Sequence, residues 1–225
     1  MRNSMLAIAL FAAFAATQGF AQTPARIVFS FDHPQLQPAH YTITIDETGD
    51  GHFESVPGAA ASDQDDTVRP APVNRTIRLD DGLRADLFRY ARSHAFFGGR
   101  CDRGQSGLAF TGNKTLAYTG SDGRGTCSFV WASDTVLQRL TDQLNAVAFT
   151  IEIGRRLDVE VQHDRLGLDS ELSELQDAVK SRRASGLPNI APELETIAGD
   201  QQVMDRARKR ATALLTCCEN PQKSN

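Results

Sequence analysis

The chain has 225 residues, a formal net charge of −4 and 23% charged side chains, enough for one ordinary domain and an appendage. Mild acidity disfavours nucleic acid or an anionic membrane surface as partner, because both need a concentrated positive patch. After residue 21 no apolar run approaches the roughly 20 residues of a membrane-spanning helix.

The N-terminus reads as a secretory leader. Arg2 precedes an apolar run from Met5 to Ala16, and Gly19-Phe20-Ala21 offers small residues for cleavage after Ala21. No cysteine follows that site, so a lipoprotein anchor is not expected. The mature chain carries −5, since removing Arg2 takes away one positive charge and residues 1–21 contain no acid. The expected location is periplasmic or secreted.

Strands dominate the next stretch. Residues 26–31, 40–46 and 52–56 alternate apolar and polar side chains, most clearly Tyr41, Ile43 and Ile45 against Thr42 and Thr44. Residues 57–75 are rich in Pro, Ala and Asp and read as a long mobile loop. An extended pattern resumes over 76–79. Asp80-Asp81-Gly82 then opens a helix over about 83–96, with an Asp N-cap and Gly98-Gly99 as its left-handed stop.

The plan then repeats. Strands are predicted over 106–111, 114–120 and 125–132, followed by a helix capped by Ser133-Asp134. Val136, Leu137, Leu140, Leu144, Val147 and Ile151 share one face of that helix, which reaches about Asp164 past a weakening Gly154. The fold class is therefore α+β: an antiparallel β-meander with helices on one face, built as two β-β-β-α units over 22–165. Helices over 169–183, 190–200 and 200–215 form a C-terminal helical cap within 166–216. The pair after Pro192 looks like a single unit of a helical repeat. Residues 217–225 read as a disordered tail.

In an oxidising compartment Cys101 and Cys127 are the pair expected to bridge, which stabilises a loop of this length by about 3 kcal/mol. Cys217-Cys218 ends a helix and is a candidate for bridging between chains. The stretch Asp46-Glu47-Thr48-Gly49-Asp50-Gly51 resembles the start of a calcium loop, with Asp46, Asp50 and Glu54 as candidate ligands. An EF-type loop needs a bidentate Glu at its twelfth position, however, and counting from Asp46 that position holds Pro57. A hairpin turn that uses Gly49 and Gly51 for positive φ explains the same residues. The Asp-Gly chemistry recurs at Ser121-Asp122-Gly123 with fewer acids.

Other chemistry lacks its spacing. His33, His40, His52, His94 and His163 form no His-x-His or HExxH pair, and the Gly-x-Ser-x-Gly elbow is absent. The Gly-rich 120–125 leads into a strand, not a helix, which disfavours phosphate binding. Asn74 and Asn113 fit the glycosylation acceptor pattern. Arg206, Arg208, Lys209 and Arg210 make the one basic cluster, a solvated face or a docking patch. No catalytic residue, cofactor or metal is assigned beyond the calcium candidates.

The run from Tyr41 through the helix ending at Phe96-Phe97 to Trp131 is similar to a family of uncharacterised secreted bacterial proteins, over roughly 40–165. The resemblance implies a small exported α+β domain of unknown function and carries no catalytic residues. The function expected is a non-enzymatic binding or interaction protein of the bacterial envelope, its partner an envelope or extracellular protein bound through the sheet or the helical tail. The alternatives are an envelope hydrolase, whose mark would be two carboxylates brought together across a cleft, and a calcium-stabilised module.

Overall fold

A computed structural model of the chain describes residues 24–58, 71–102, 104 and 109–219, with side chains to Cys217. The expected leader 1–21, the Cys218 side chain, and most of the long loop and of the tail lie outside the described residues.

Six strands form one antiparallel sheet: β1 (Arg26–Asp32), β2 (His40–Asp46), β3 (Asp50–Val56), β4 (Val73–Arg78), β5 (Asn113–Thr119) and β6 (Arg124–Phe129), in the order β4-β3-β2-β1-β5-β6. The alternation sets the register. Ile27, Phe29 and Phe31 of β1 stand opposite Ile45, Ile43 and Tyr41 of β2, and opposite Tyr118, Leu116 and Lys114 of β5. A slip of one residue would turn every buried side chain to water. The opposite face carries Ser30, Thr42, Thr44, Thr115, Thr126 and Ser128, and no helix among the described residues covers it.

Helix α1 (Asp81–Ser93) returns the chain from the β4 edge to the far side of β1. Its 13 residues span about 20 Å, enough to cover the four strand spacings of about 4.8 Å from β4 to β5. The side chain of Asp80 caps it by accepting from the Leu83 amide at 2.8 Å. Asp134 does the same for α2 (Thr135–His163), accepting from Leu137 at 2.8 Å.

The last helix runs Asp205–Glu219 instead of over 200–215, and so takes in residues 217–219 of the expected disordered tail. Four further local expectations change. β4 begins at Val73, within the segment assigned to the loop. Residues 109–111 form no strand, while 106–108 of that expected strand lie outside the described residues, so the units among the described residues are ββββα and ββα. α1 stops at Ser93, and its left-handed residues are Ala95, Phe96 and Phe97 (φ 50°, 56° and 64°), while Gly98 has φ −75°. Each such non-glycine conformation costs on the order of 1–3 kcal/mol. Burial of Phe97 and packing of Phe96 on Tyr118, ring centroids 5.0 Å apart, hold the turn. Gly123 makes room, since a Cβ there would lie 2.2 Å from the Phe96 ring.

The fourth concerns Gly154, which neither breaks nor ends α2. A Cβ at this position would lie 2.5 Å from Ile190 Cγ2, so the glycine admits the 3₁₀ turn Leu187–Ile190 against the helix. α2 belongs to two apolar cores. Leu137, Leu140, Leu144, Val147 and Ile151 pack with the inner face of the sheet. Ile153 and Leu157 pack instead with α3 (Leu168–Lys180), α4 (Ala191–Gly199) and α5 (Asp205–Glu219).

Two polar contacts tie the helical half to the β4 edge. Arg75 Nη1 donates to Glu193 Oε1 at 2.7 Å. The side-chain amide of Asn189 accepts from the Arg78 N–H at 2.7 Å and donates to the Arg78 carbonyl at 3.1 Å. Asn189 thus satisfies an edge strand much as a neighbouring strand would, and blocks that point from further pairing.

Candidate functional site

The two Asp-Gly turns lie at the same end of the sheet, and an internal cation occupies the space between them. Arg92 of α1 donates to Asp122 Oδ2 at 2.7 Å, to Glu47 Oε1 and to the Tyr118 hydroxyl at 3.1 Å. The Tyr118 hydroxyl donates in turn to Asp122 Oδ1 at 2.6 Å. Two carboxylates from separate turns therefore converge, which is the geometry a hydrolase would need. One guanidinium partners both, and the hydrogen bonds from Tyr118 and Arg92 hold Asp122 below the usual aspartate range. A glycosidase-type pair needs one carboxyl kept protonated beside an ionised one, and the guanidinium opposes that.

The calcium candidates are not gathered into one site. Asp46 Oδ1 accepts from the Thr48 amide at 2.8 Å and its hydroxyl at 2.6 Å. Asp50 Oδ1 accepts from Arg78 Nη1 at 2.6 Å. Glu54 stands on the open sheet face, 3.4 Å from His52. Among the described residues no group of three His, Cys, Asp or Glu could hold a metal ion. Gly49 has the positive φ of a hairpin turn (90°). Gly51 serves differently: a Cβ there would lie 2.2 Å from the Thr44 carbonyl oxygen, so its role is close approach.

Cys101 and Cys127 form a disulfide, with Cα atoms 5.9 Å apart. Cys217 is free and exposed. The basic cluster on α5 is paired with two carboxylates: Arg206 and Arg210 meet Asp169 of α3 at 2.6 and 2.9 Å, and Arg208 and Lys209 meet Asp205 at 3.2 and 2.7 Å.

At the opposite end of the sheet a cavity of about 290 Å³ opens between α2 and the β1–β2 loop. Its apolar lining is Phe31, Leu36, Pro38, Ala148 and Phe149. The Tyr41 hydroxyl donates to Asn145 Oδ1 at 2.6 Å, and burial pushes the Tyr41 pKa upward. Lys114, 3% exposed, braces the wall that includes Thr111. Its ammonium donates to the carbonyls of Thr111 (3.4 Å), Gly112 (3.3 Å) and Val130 (3.0 Å). Burial lowers its pKa.

The mouth carries Glu152 and Arg156, one helical turn apart on α2. They do not pair with each other. Glu152 Oε1 takes Arg155 at 2.5 Å, while Arg156 Nη2 takes Glu171 at 3.0 Å and Glu174 at 3.4 Å. Apolar walls with a few placed polar groups are the usual composition of a ligand pocket. Sequence reading missed this site, although Asn145, Phe149, Glu152 and Arg156 follow an i, i+4, i+7, i+11 stripe on α2. The missing half is the β1–β2 loop, whose position no spacing reveals.

The chain was also compared with known proteins. It matches no family model and no curated protein.

Proposed function

We propose that the chain is an exported, non-enzymatic binding protein of the bacterial envelope, periplasmic or secreted, and that it binds an envelope or extracellular component in the pocket between α2 and the β1–β2 loop. The pocket carries this reading: apolar walls converge on a buried Tyr41–Asn145 pair, and a charged mouth opens to solvent. The Cys101–Cys127 disulfide supports export, since such bonds persist in oxidising compartments. No helix among the described residues is long and apolar enough to cross a membrane. The non-enzymatic reading is supported at the other end of the sheet, where Arg92 sits between Glu47 and Asp122 and disfavours the protonated carboxyl that a hydrolase pair needs.

The test is native mass spectrometry of the mature chain after incubation with an envelope extract. Leu36 is 48% exposed, so Leu36→Trp fills the pocket without disturbing a core. The wild-type chain is expected to retain a mass that Leu36→Trp does not. Identical spectra for the two proteins would end the proposal.

A further inference from the structure

The pocket's polar groups specify more than an apolar occupant. Glu152 Oε2 and Arg156 Nη1 carry no bond to the protein among the described residues, because their partners engage only Glu152 Oε1 and Arg156 Nη2. One free carboxylate oxygen and the Nη1 of a guanidinium, whose Nε is also buried without a partner among the described residues, thus stand a helical turn apart at the mouth, about 6 Å along the axis. Behind them the cavity is apolar and small, at the lower end of the size of ligand pockets.

At the base, the Tyr41 hydroxyl proton goes to Asn145 Oδ1, which leaves the Asn145 amide nitrogen without a protein acceptor among the described residues. The charges beside the mouth nearly balance, with Arg155 and Arg156 against Glu152, Glu171 and Glu174. A ligand with a single charge would match one free group at the mouth and leave the other without a partner, which is unfavourable where water is partly excluded.

Resting on the reading that this pocket is the binding site, we propose that its ligand is a free α-amino acid with an aromatic side chain. The α-carboxylate meets Arg156, the α-ammonium meets Glu152, and the ring lies between Leu36, Pro38 and Phe149. A ring hydroxyl would accept from the Asn145 amide, so tyrosine is expected to bind more tightly than phenylalanine.

Isothermal titration of the mature chain with L-tyrosine, L-phenylalanine, 3-phenylpropionate and phenethylamine tests this. The two zwitterions are expected to bind at least tenfold more tightly than either singly charged analogue. Arg156→Gln should erase the advantage of phenylalanine over phenethylamine, and Glu152→Gln its advantage over 3-phenylpropionate. Leu36→Trp should abolish all four, with thermal melts confirming that each variant is folded. No saturable binding of either amino acid, equal binding of the analogues, or unchanged selectivity in both charge variants overturns the assignment. If the envelope extract still yields a mass that depends on Leu36, the ligand class has failed and the pocket stands. If it yields none, the site reading itself has failed.

Discussion

The sheet half and the helical half of this chain share α2 but are held together differently. In the sheet half, cross-links supplement apolar burial: the Cys101–Cys127 disulfide, the Arg92 network and the Lys114 ammonium each join segments distant in sequence. The helical half relies on close packing of Leu, Ile and Ala around Leu157, Leu172, Leu194 and Ala207. The α2–α3 corner also gathers carboxylates with too few cations. Strands leave long loops that need pinning, whereas helices satisfy their own backbones and need only a matched apolar face.

The carboxylates make the same contrast. In the sheet half, burial tends to raise Asp46 and Asp134, but hydrogen bonds from Thr48 and from Tyr90 with the Leu137 amide outweigh it, and both are lowered. At the α2–α3 corner, burial first, then Glu171 and Asp164, push Glu160 up to about 7 against the pull of Arg156. Its Oε2 is buried without a hydrogen-bond partner. The sheet half should therefore weaken in acid, and the helical corner on the alkaline side.

Cutting the joint between the halves should have the largest effect. Arg75→Met leaves the Glu193 carboxylate buried with neither oxygen partnered, a loss of about 3–5 kcal/mol. The double variant Arg75→Met, Glu193→Met should recover much of it, and chemical denaturation of the three proteins measures both. If the single variant melts as one transition at the wild-type midpoint, the two halves are not coupled through this pair.

Next in size is the disulfide. Cys101→Ser with Cys127→Ser should cost about 3 kcal/mol. Hydrogen exchange should place the loss in β5, β6 and the 95–102 segment and leave α3–α5 protected. Equal loss in both halves would remove the distinction drawn above. Gly154→Ala forces a Cβ into Ile190 and should destabilise by about 1–3 kcal/mol, read as a lower melting temperature with α2 and the 187–190 turn exposed first.

The smallest effect is a pH dependence. Glu160 has a folded pKa above its ordinary 4.5, so the stability it contributes is full below about 4.5 and is lost as pH rises through about 7. Asp46 and Asp134 behave oppositely: their contribution is present above the ordinary aspartate range and lost as pH falls through their lowered values. Glu160→Gln should flatten the alkaline limb by about 1 kcal/mol, discounted for partial exposure. Melting curves from pH 4 to 8 decide it, and an unchanged limb refutes the assignment.

Much of this fold was legible in the chain because its signals are local. Ile27, Phe29 and Phe31, or Tyr41, Ile43 and Ile45, name their buried face by alternation alone, and Asp80 and Asp134 announce their helices by a hydrogen bond three residues away. Residues 109–111 of the expected 106–111 strand are not extended into the sheet, because an apolar run does not say whether a partner strand is within reach; 106–108 lie outside the described residues. The left-handed turn at Ala95–Phe97 was placed at the glycines because local preference favours them, and distant contacts with Tyr118 and Gly123 decided otherwise.

What the sequence by itself determined is the α+β class, the strand faces, the capped starts of α1 and α2 and the cysteine pair. Each depends on residues within a few positions of one another, or on the only two cysteines set in the sheet region. The tertiary structure alone decided that Glu47 and Asp122 close on Arg92, that Gly154 joins two cores, and that Tyr41, Asn145, Glu152 and Arg156 surround one cavity. Those outcomes depend on contacts between distant segments, 104 residues apart for Tyr41 and Asn145, and no local periodicity encodes them.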